Sequence, residues 1–411
     1  MHKPKKVICS VVIAIGFLLF SYSITNLNFP ISGEKALLYR FELVRNYLFP
    51  RESTVNDSIL LIDVSFDKTP VKATDEFGMP IGDIQITDRQ KLLELLQELK
   101  RRDDYKYILL DVFFGQKGDT SQDSALYATI CSMPRIVIPC HSDEALADSS
   151  LRDKAGLADY TTTYKEGSFV KYPYMSDDGK SLPLKMYEDM TGRSIHKHGF
   201  VYTDGWRLVR KSVVLTFDVN ANTAYNEKGE KVWYYLGADI LGNEEERGVL
   251  YEMPELTKDK YIAIGAFQGD DSHSTYIGPV CGTLINLNAY FSLLQNHHVV
   301  SVALVLILFG AFFVLAYLTL TRQDLRGLTD SMTRKRNYRW RIRMMTLSAI
   351  CSWIGYSLFL TILCLITYVF LGEVYEIFIT STMFYLLSLA IKYIDYIKKL
   401  LKLWKRKGSC S

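Results

Sequence analysis

Charged residues are absent from two long segments in the last third of this sequence. Neither Val299–Leu320 nor Met344–Leu371 contains Asp, Glu, Lys or Arg. Each segment is long enough to cross the hydrocarbon core of a bilayer, which is about 30 Å thick. A chain that is soluble throughout is therefore excluded, and we expect both segments to be transmembrane helices.

The loop between these two segments is, by contrast, strongly basic. Residues 322–343 hold eight Arg and Lys residues against two Asp residues. Because short basic loops resist translocation, we expect this loop on the cytoplasmic face. A nucleic-acid-binding loop is the alternative, but it would leave the flanking apolar segments unexplained, and we expect no nucleic-acid partner.

Motifs of common enzymes and cofactor-binding proteins are also missing. The seven cysteines show no close pair of the zinc or thioredoxin type, and the sequence has neither a Gly-x-Ser-x-Gly nor a Gly-x-x-x-x-Gly-Lys motif. A metal-dependent hydrolase needs several His and carboxylate ligands, and His273 alone lies near the candidate acids described below. We therefore expect no enzyme activity, no cofactor and no metal. A disulfide among Cys131, Cys140 and Cys281 stays open, because an extracytoplasmic domain is in an oxidising compartment.

The N-terminal segment predicts a membrane anchor. Lys3, Lys5 and Lys6 precede the uncharged apolar segment Val7–Ile24. A cleaved signal peptide is the other interpretation, but the apolar run is long and is followed by a poor cleavage site. We interpret residues 1–26 as an uncleaved signal anchor that keeps its lysines inside and delivers the following chain outside.

Residues 298–396 are predicted to form a three-helix transmembrane segment. Gly372–Glu376 is expected to be the outer turn, Ile377–Ile391 returns to the cytoplasm, and residues 397–411 form a basic cytoplasmic tail. With the anchor, four transmembrane helices place both termini in the cytoplasm of a bacterial inner membrane. No span holds an acidic or basic residue in its interior, which argues against a transporter. The serines of these spans are expected to form hydrogen bonds between helices.

Residues 27–297 predict an extracytoplasmic α/β domain, with a parallel or mixed sheet and flanking helices. Short apolar runs alternate with amphipathic segments, which indicates right-handed crossovers between buried strands. The predicted strands are Ser58–Asp63, Tyr105–Asp111, Arg135–Pro139 and Tyr261–Gly265, and the helices between them are Arg89–Arg102 and Ser121–Ser132.

The connections of this domain carry further predictions. We expect an amphipathic helix within Asn26–Val55 and a helix at Thr283–Gln295 that continues directly into the membrane. The other expected features are a loop around Gly78, Pro80 and Gly82, a hairpin with its turn at Asp204–Gly205 on the edge of the sheet, a helix over Val232–Leu241, and a loop over Ala266–Val280.

Acidic residues at strand ends are the best candidates for a binding site. Asp63 and Asp111 are expected at the carboxyl ends of adjacent strands, where open α/β sheets bind ligands. The full candidate set is Asp63, Ser65, Asp111, Gly265, Asp270 and Asp271. The alternative is that each acid caps a turn or a helix and binds nothing.

Several short segments occur in an order that resembles a known family. They are Ile62–Ser65, Leu110–Phe114, Asp123, Asp204–Arg210, Ile264–Gly265, Pro279 and Gly282. In order and spacing they are similar to the extracellular CHASE sensory domains of type 2, which occur with cyclases and histidine kinases. The sequence departs from the family at Gln85–Arg89, where a Pro-rich segment is usual, and at Asn286–Leu287, where His-Ala is usual. The resemblance implies a sensory domain, and a cytoplasmic output domain that this sequence does not contain after its last span.

Together, these features predict a membrane-anchored sensory protein that detects an unidentified small molecule or envelope condition. A separate cytoplasmic partner would supply the output. The basic segment Tyr396–Lys407 is either an amphipathic docking helix for that partner or a plain stop signal at the inner leaflet. The competing hypothesis is a structural or assembly protein of the cell envelope, whose domain binds another protein.

Overall fold

A computed structural model of this 411-residue chain describes residues 3–26, 34–49, 57–74, 79–115, 121–142, 145–159, 168–169, 171–176, 179–219, 224–226, 228–242, 246–269, 271–321, 323 and 338–407. The chain divides into two compact units. Residues 30–299 form the α/β unit, and residues 1–29 together with 300–411 form the membrane unit.

A six-stranded parallel sheet is the centre of the α/β unit. In spatial order its strands are β13 (Trp233–Tyr235), β1 (Ile59–Asp63), β14 (Tyr261–Gly265), β4 (Tyr107–Asp111), β5 (Ile136–Cys140) and β6 (Ala155–Leu157). The four predicted strands are the four central ones. They are unbroken apolar runs because a strand between two layers of helices is buried on both faces. The prediction of an α/β fold with a parallel sheet is confirmed.

Smaller sheets decorate this centre. A long hairpin pairs β2 (Lys68–Thr74) with β3 (Pro80–Thr87). The other small strands are β7 (Ser168–Phe169), β8 (Lys171–Pro173), β9 (Ile195–His198), β10 (Val201–Asp204), β11 (Arg207–Val209), β12 (Ser212–Val214), β15 (Ser272–Thr275) and β16 (Gly278–Cys281). Strands β9, β10 and β11 form an antiparallel three-stranded sheet of their own.

Four connections differ from their predictions. The expected loop around Pro80 and Gly82 is the hairpin β2–β3, with Gly78 outside the described residues. The hairpin at Asp204–Gly205 is confirmed, but it lies in the separate small sheet and not at the edge of the main one. The expected loop over Ala266–Val280 contains the hairpin β15–β16, and Val232–Leu241 starts as the edge strand β13 before turning helical at Leu236. These segments are short, so partners distant in sequence decide their conformation.

Helices cover both faces of the sheet. The helices of the α/β unit are α2 (Glu34–Leu48), α3 (Arg89–Arg102), α4 (Asp123–Ser132), α5 (Leu182–Thr191), α6 (Val249–Glu252) and α7 (Gly282–Leu294), with short 3₁₀ turns at Ser149–Lys154 and Pro254–Leu256. The bounds predicted for α3 are confirmed, and Asp88 caps it by accepting hydrogen bonds from two backbone amides. The leucines of α3 pack on one face of the sheet with α4, and α5 and α7 pack on the other.

Helix α7 does not continue into the following apolar helix. It ends at Leu294, and the chain turns through Asn296, whose φ of 61° lies in the left-handed region. The next helix begins only at Val302. The predicted continuous helix is therefore wrong, because a left-handed residue ends helical hydrogen bonding.

The membrane unit contains α1 (Lys3–Asn26), α8 (Val302–Thr321), α9 (Tyr338–Leu371) and α10 (Ile377–Lys407). Segments of α1, α8 and α9 are long and apolar enough to span a membrane, and the apolar part of α10, Ile377–Ile391, is shorter. The predicted inter-helix serine contact occurs between Ser357 and Ser381, whose hydroxyl oxygens are 3.0 Å apart. The predicted tail is helical, but it continues α10 without a break, and most of the basic loop lies outside the described residues.

Candidate functional site

Asp63, Gly265 and Asp111 lie side by side at the carboxyl edge of the main sheet. The strand register pairs Asp63 with Gly265 and Gly265 with Asp111. Strands β1 and β4 are therefore not adjacent as predicted, since β14 lies between them. Because side chains alternate along a strand, all three residues project from the face that α7 covers.

Asp63 is fully buried and holds two loops together. Its Oδ1 accepts hydrogen bonds from the backbone amide and hydroxyl of Ser65 and from the amide of Phe267, at 3.2 Å. The Ser65 hydroxyl oxygen in turn accepts a hydrogen bond from the amide of Gln268 at 2.9 Å. These contacts are structural, as the capping alternative predicts. However, the second carboxylate oxygen of Asp63, Oδ2, is buried without a hydrogen-bond partner.

Gly265 lets α7 approach the sheet. A Cβ atom at this position would collide with the Thr283 side chain, which lies in the first turn of α7. The glycine is thus required by packing, and it places the N-terminal end of α7 directly over the strand ends.

Asp111 is held by neutral donors of that same helix. Its carboxylate accepts hydrogen bonds from the side chains of Thr283 and Asn286, the latter with 3.4 Å between Nδ2 and Oδ2. The Tyr172 hydroxyl donates to the Asn286 carbonyl oxygen at 2.9 Å. Burial, together with the nearby Asp271 carboxylate, raises the pKa of Asp111 to about 6 despite these hydrogen bonds.

Two aspartate–histidine pairs border Asp111 at the rim. His273 Nε2 lies 3.0 Å from Asp271 Oδ1 in the hairpin after β14. His141 Nδ1, just after β5, lies 2.7 Å from Asp159 Oδ1, just after β6. The hydrogen bond with Asp271 raises the pKa of His273. All four side chains are at least partly exposed to solvent.

These residues form what we call the carboxyl-edge cluster: Asp63, Asp111, His141, Asp159, Asp271 and His273. Four carboxylates outnumber two imidazoles, so the cluster is acidic. Such a set of acceptors is suited to a ligand rich in hydrogen-bond donors or carrying a positive charge. Within the described residues, no group of three or more His, Cys, Asp or Glu side chains is arranged to hold a metal ion.

A second polar cluster, which is not predicted as a site from the sequence, lies near the other end of α7. Asp204 is almost fully buried and accepts hydrogen bonds from the Arg207 guanidinium and from the Tyr187 hydroxyl at 3.3 Å. The Arg193 guanidinium lies 3.8 Å from the same oxygen. We call Tyr187, Arg193, Asp204, Arg207 and His298 the Asp204 cluster.

His298 is the central imidazole of the Asp204 cluster. It is fully buried, its Nε2 lies 3.9 Å from Asp204 Oδ2, and neither ring nitrogen makes a hydrogen bond with any residue that the structure describes. The rings of Tyr174 and Tyr187 contact it edge-on. Burial lowers the pKa of His298 to about 4, so the ring is neutral at physiological pH.

Three buried polar side chains, which we call the buried polar row, lie along α7 between the two clusters. Asn286 reaches Asp111, Asn288 bonds both backbone groups of Val219, and the Ser292 hydroxyl accepts from the Thr216 amide at 3.1 Å. All three side chains are fully buried. The helix of 13 residues spans about 20 Å, from the carboxyl edge of the sheet towards the opposite edge, and the row lies in its middle part.

The structure places the predicted site residues unevenly. Asp63, Ser65, Asp111, Gly265 and Asp271 are brought to one edge, whereas Asp270 lies outside the described residues. The sequence analysis missed His141 and Asp159, although the same strand-end rule would have found them. Cys131, Cys140 and Cys281 are free thiols, and burial raises the pKa of Cys281 to about 12.

Comparison with known proteins gives no match: no protein-family model, curated protein sequence or solved structure is similar to this chain.

Proposed function

We propose that this chain is a membrane-anchored receptor whose α/β unit binds a small polar or cationic molecule at the carboxyl-edge cluster. The observation that carries this proposal is Asp111, a largely buried carboxylate with a raised pKa, bordered by two aspartate–histidine pairs at the rim. Perturbed titratable groups at strand ends are typical of functional sites in α/β folds. The buried and unpartnered Oδ2 of Asp63 supports the same location.

Helix α7 is the element that would relay binding. Its first turn contacts Asp111 and its last turns lie beside the segment that leads to α8. A ligand that pulls on Asp111 shifts Thr283 and Asn286, and the buried polar row transmits that shift as a rigid body. The proposed receptor resembles the type 2 CHASE sensory domains, and a separate cytoplasmic partner supplies its output.

The proposed topology has four spans, both termini in the cytoplasm of a bacterial inner membrane, and the α/β unit outside. Lysine and arginine clusters at both ends and in the loop 322–343 support it. A reporter active only in the cytoplasm should work when fused after Arg343 or Ser411 and stay inactive after Asp204. Activity of the Asp204 fusion would refute the orientation.

Ligand binding is tested with the full-length chain in detergent micelles. A panel of polyamines, amino acids, sugars and divalent cations is screened for compounds that raise the melting temperature, because a ligand specific for the folded state stabilises it. The variant Asp111→Asn should lose the shift given by a hit. Asp153→Asn is the matched control, since Asp153 is exposed on a short 3₁₀ turn away from the strand ends.

A second candidate function is supported by helix α2. Leu38 and Phe41 are buried, whereas Leu43, Tyr47 and Phe49 leave a second apolar face exposed. An exposed apolar face of this kind is typical of protein–protein contacts and fits an assembly protein of the envelope. Crosslinking from position 47 in native membranes would favour assembly if it captured one specific protein and if no compound shifted the melting temperature.

A further inference from the structure

The small sheet β9–β10–β11 joins the α/β unit to the segment that precedes α8. Val209 of β11 forms an antiparallel bridge with Val299, and the Arg210 amide donates to the His298 carbonyl at 2.8 Å. Arg207 also donates to the Asn296 side chain at 2.8 Å. Because the bridge is antiparallel, the chain passes Val299 in the direction of Arg207 and the turn at Gly205–Trp206.

Chain geometry then limits how far this sheet can be from a membrane. Helix α8, which is long and apolar enough to span a bilayer, begins at Val302, three residues after Val299. Three residues cover at most about 11 Å. Val299, which is bridged to β11, therefore lies at most about 11 Å from the first residue of α8.

The side chains near this bridge are those of a membrane interface. Trp206 is 93% exposed at the tip of the turn between β10 and β11, next to Arg207. Beside Trp206 is a groove of about 470 Å³, which is also lined by Arg193, His196, Asp204 and Arg207. Trp is enriched at the headgroup level of bilayers, and guanidinium groups bind phosphate through paired hydrogen bonds.

The two arginines of the groove are already positioned. Arg207 is fixed by Asp204 on one side and Asn296 on the other, and about half of the Arg193 side chain is exposed. Asp204 neutralises one of the two positive charges, so the groove keeps a net positive charge. An anion entering it would meet donors that need no rearrangement.

From this geometry we propose that the groove is a lipid-binding site: the turn Gly205–Trp206 inserts into the headgroup layer where α8 enters the membrane, and Arg193 and Arg207 bind a phospholipid phosphate. The site fixes the end of the α/β unit nearest to α8 against the bilayer. The inference holds whichever side of the membrane the unit occupies, and it does not depend on a ligand at the carboxyl-edge cluster.

The test uses the full-length chain in nanodiscs of equal parts phosphatidylcholine and phosphatidylglycerol. The emission of Trp206 is obtained as the difference between the wild type and Trp206→Phe, since the other four tryptophans are common to both. Lipids brominated near the headgroup end of their acyl chains should remove most of this emission, while aqueous iodide should have little effect. The Trp206→Phe variant is expected to fold, because Trp206 is exposed.

A matched control moves the reporter to the carboxyl edge. Phe66 is exposed and follows β1, at the opposite end of the sheet from Val299, so Trp206→Phe with Phe66→Trp should be quenched by iodide and not by brominated lipid. Arg193→Gln should weaken the bromine quenching at position 206. Quenching of Trp206 by iodide alone would overturn the proposal. Quenching by neither agent would also overturn it, because a tryptophan that neither agent reaches is covered by protein. If the bromine quenching were unchanged in Arg193→Gln, the phosphate contact of Arg193 would be wrong.

Discussion

The two ends of α7 use the same kinds of side chain in opposite ways. At its N-terminal end, Asp111 accepts hydrogen bonds only from neutral donors, and the nearby imidazoles of His141 and His273 are partly exposed. Near its C-terminal end, Asp204 is paired with Arg207, and the imidazole of His298 is fully buried.

The difference shows what decides whether a carboxylate is fixed or responsive. A buried carboxylate paired with a guanidinium keeps its charge and its geometry, because losing either partner leaves an uncompensated charge. A carboxylate that meets only amide and hydroxyl donors remains close to neutralisation. The Asp204 cluster is therefore suited to holding the segment near α8, and the carboxyl-edge cluster to responding to a ligand or to pH.

The largest expected effect comes from breaking the fixed end. Asp204→Ala removes the buried carboxylate that accepts hydrogen bonds from the partly exposed Arg207 guanidinium and from the buried Tyr187 hydroxyl. A hydrogen bond to a charged group contributes about 1.5–3 kcal/mol, so the loss of both should cost roughly 3 kcal/mol or more. We expect the free energy of unfolding of the full-length chain in micelles to fall by that amount.

Asp153→Ala serves as the control for this loss, because a substitution at an exposed site changes stability by about 0.5 kcal/mol or less. If Asp204→Ala cost no more than Asp153→Ala, the Asp204 cluster would not hold this end of the unit.

The responsive end is tested next by overpacking. Gly265→Ala places a methyl group against Thr283 and pushes α7 away from the strand ends. Overpacking a close contact costs roughly 1–3 kcal/mol. The double variant Gly265→Ala with Thr283→Ala should recover part of this loss, because the colliding oxygen and methyl group are removed. Denaturant unfolding of the four chains gives the coupling energy, and simple additivity would rule out the contact as the cause.

A pH series separates the two ends through the opposite signs of their titrations. Asp111 has a folded pKa raised from 3.8 to about 6, so its ionisation destabilises the fold progressively as pH rises through that window. His298 has a folded pKa lowered from 6.5 to about 4, so it destabilises the fold as pH falls through its window. The two contributions oppose each other in the wild type.

Asp111→Asn removes one of these contributions. The variant should equal the wild type near pH 4 and exceed it above pH 6, by at most about 3 kcal/mol, the free energy that corresponds to the rise of the Asp111 pKa from 3.8 to about 6. Melting temperatures across this range measure the difference. A constant offset at every pH would show that Asp111 does not titrate in this window.

The main sheet could be predicted from the sequence because the unbroken apolar runs of its strands indicate burial on both faces. Runs such as Ile59–Asp63 and Tyr107–Asp111 have no polar interruption, and the intervening α3 has a leucine stripe and an Asp88 cap. The order of the strands was not predictable in the same way. Nothing in β1 or β4 indicates that β14, which follows β4 by about 150 residues, lies between them.

The sites show the same limit. Asp63 and Asp111 could be found because each ends an apolar run, but their partners Phe267 and Asn286 come from distant segments. The Asp204 cluster was invisible because His298 lies almost 100 residues from Asp204 and follows a helix that the sequence suggests is continuous. Side chains brought together only by the tertiary fold leave no local pattern.

The smallest expected effect is that of Asp63→Asn, and it separates a structural from a binding role for this acid. The asparagine oxygen can still accept from the amides of Ser65 and Phe267. At the Oδ2 position, a buried oxygen without a partner is exchanged for a buried amide group without one, so the two desolvation costs nearly cancel. The net change should stay within about 1 kcal/mol, whereas Asp63→Ala, which leaves both amides without an acceptor, should cost roughly 1–3 kcal/mol.

If the Asp63 charge contributes to ligand binding, Asp63→Asn loses the ligand-dependent rise in melting temperature while the stability of the free protein is kept. A retained rise would assign Asp63 to the fold alone and leave Asp111 with its histidine neighbours as the site.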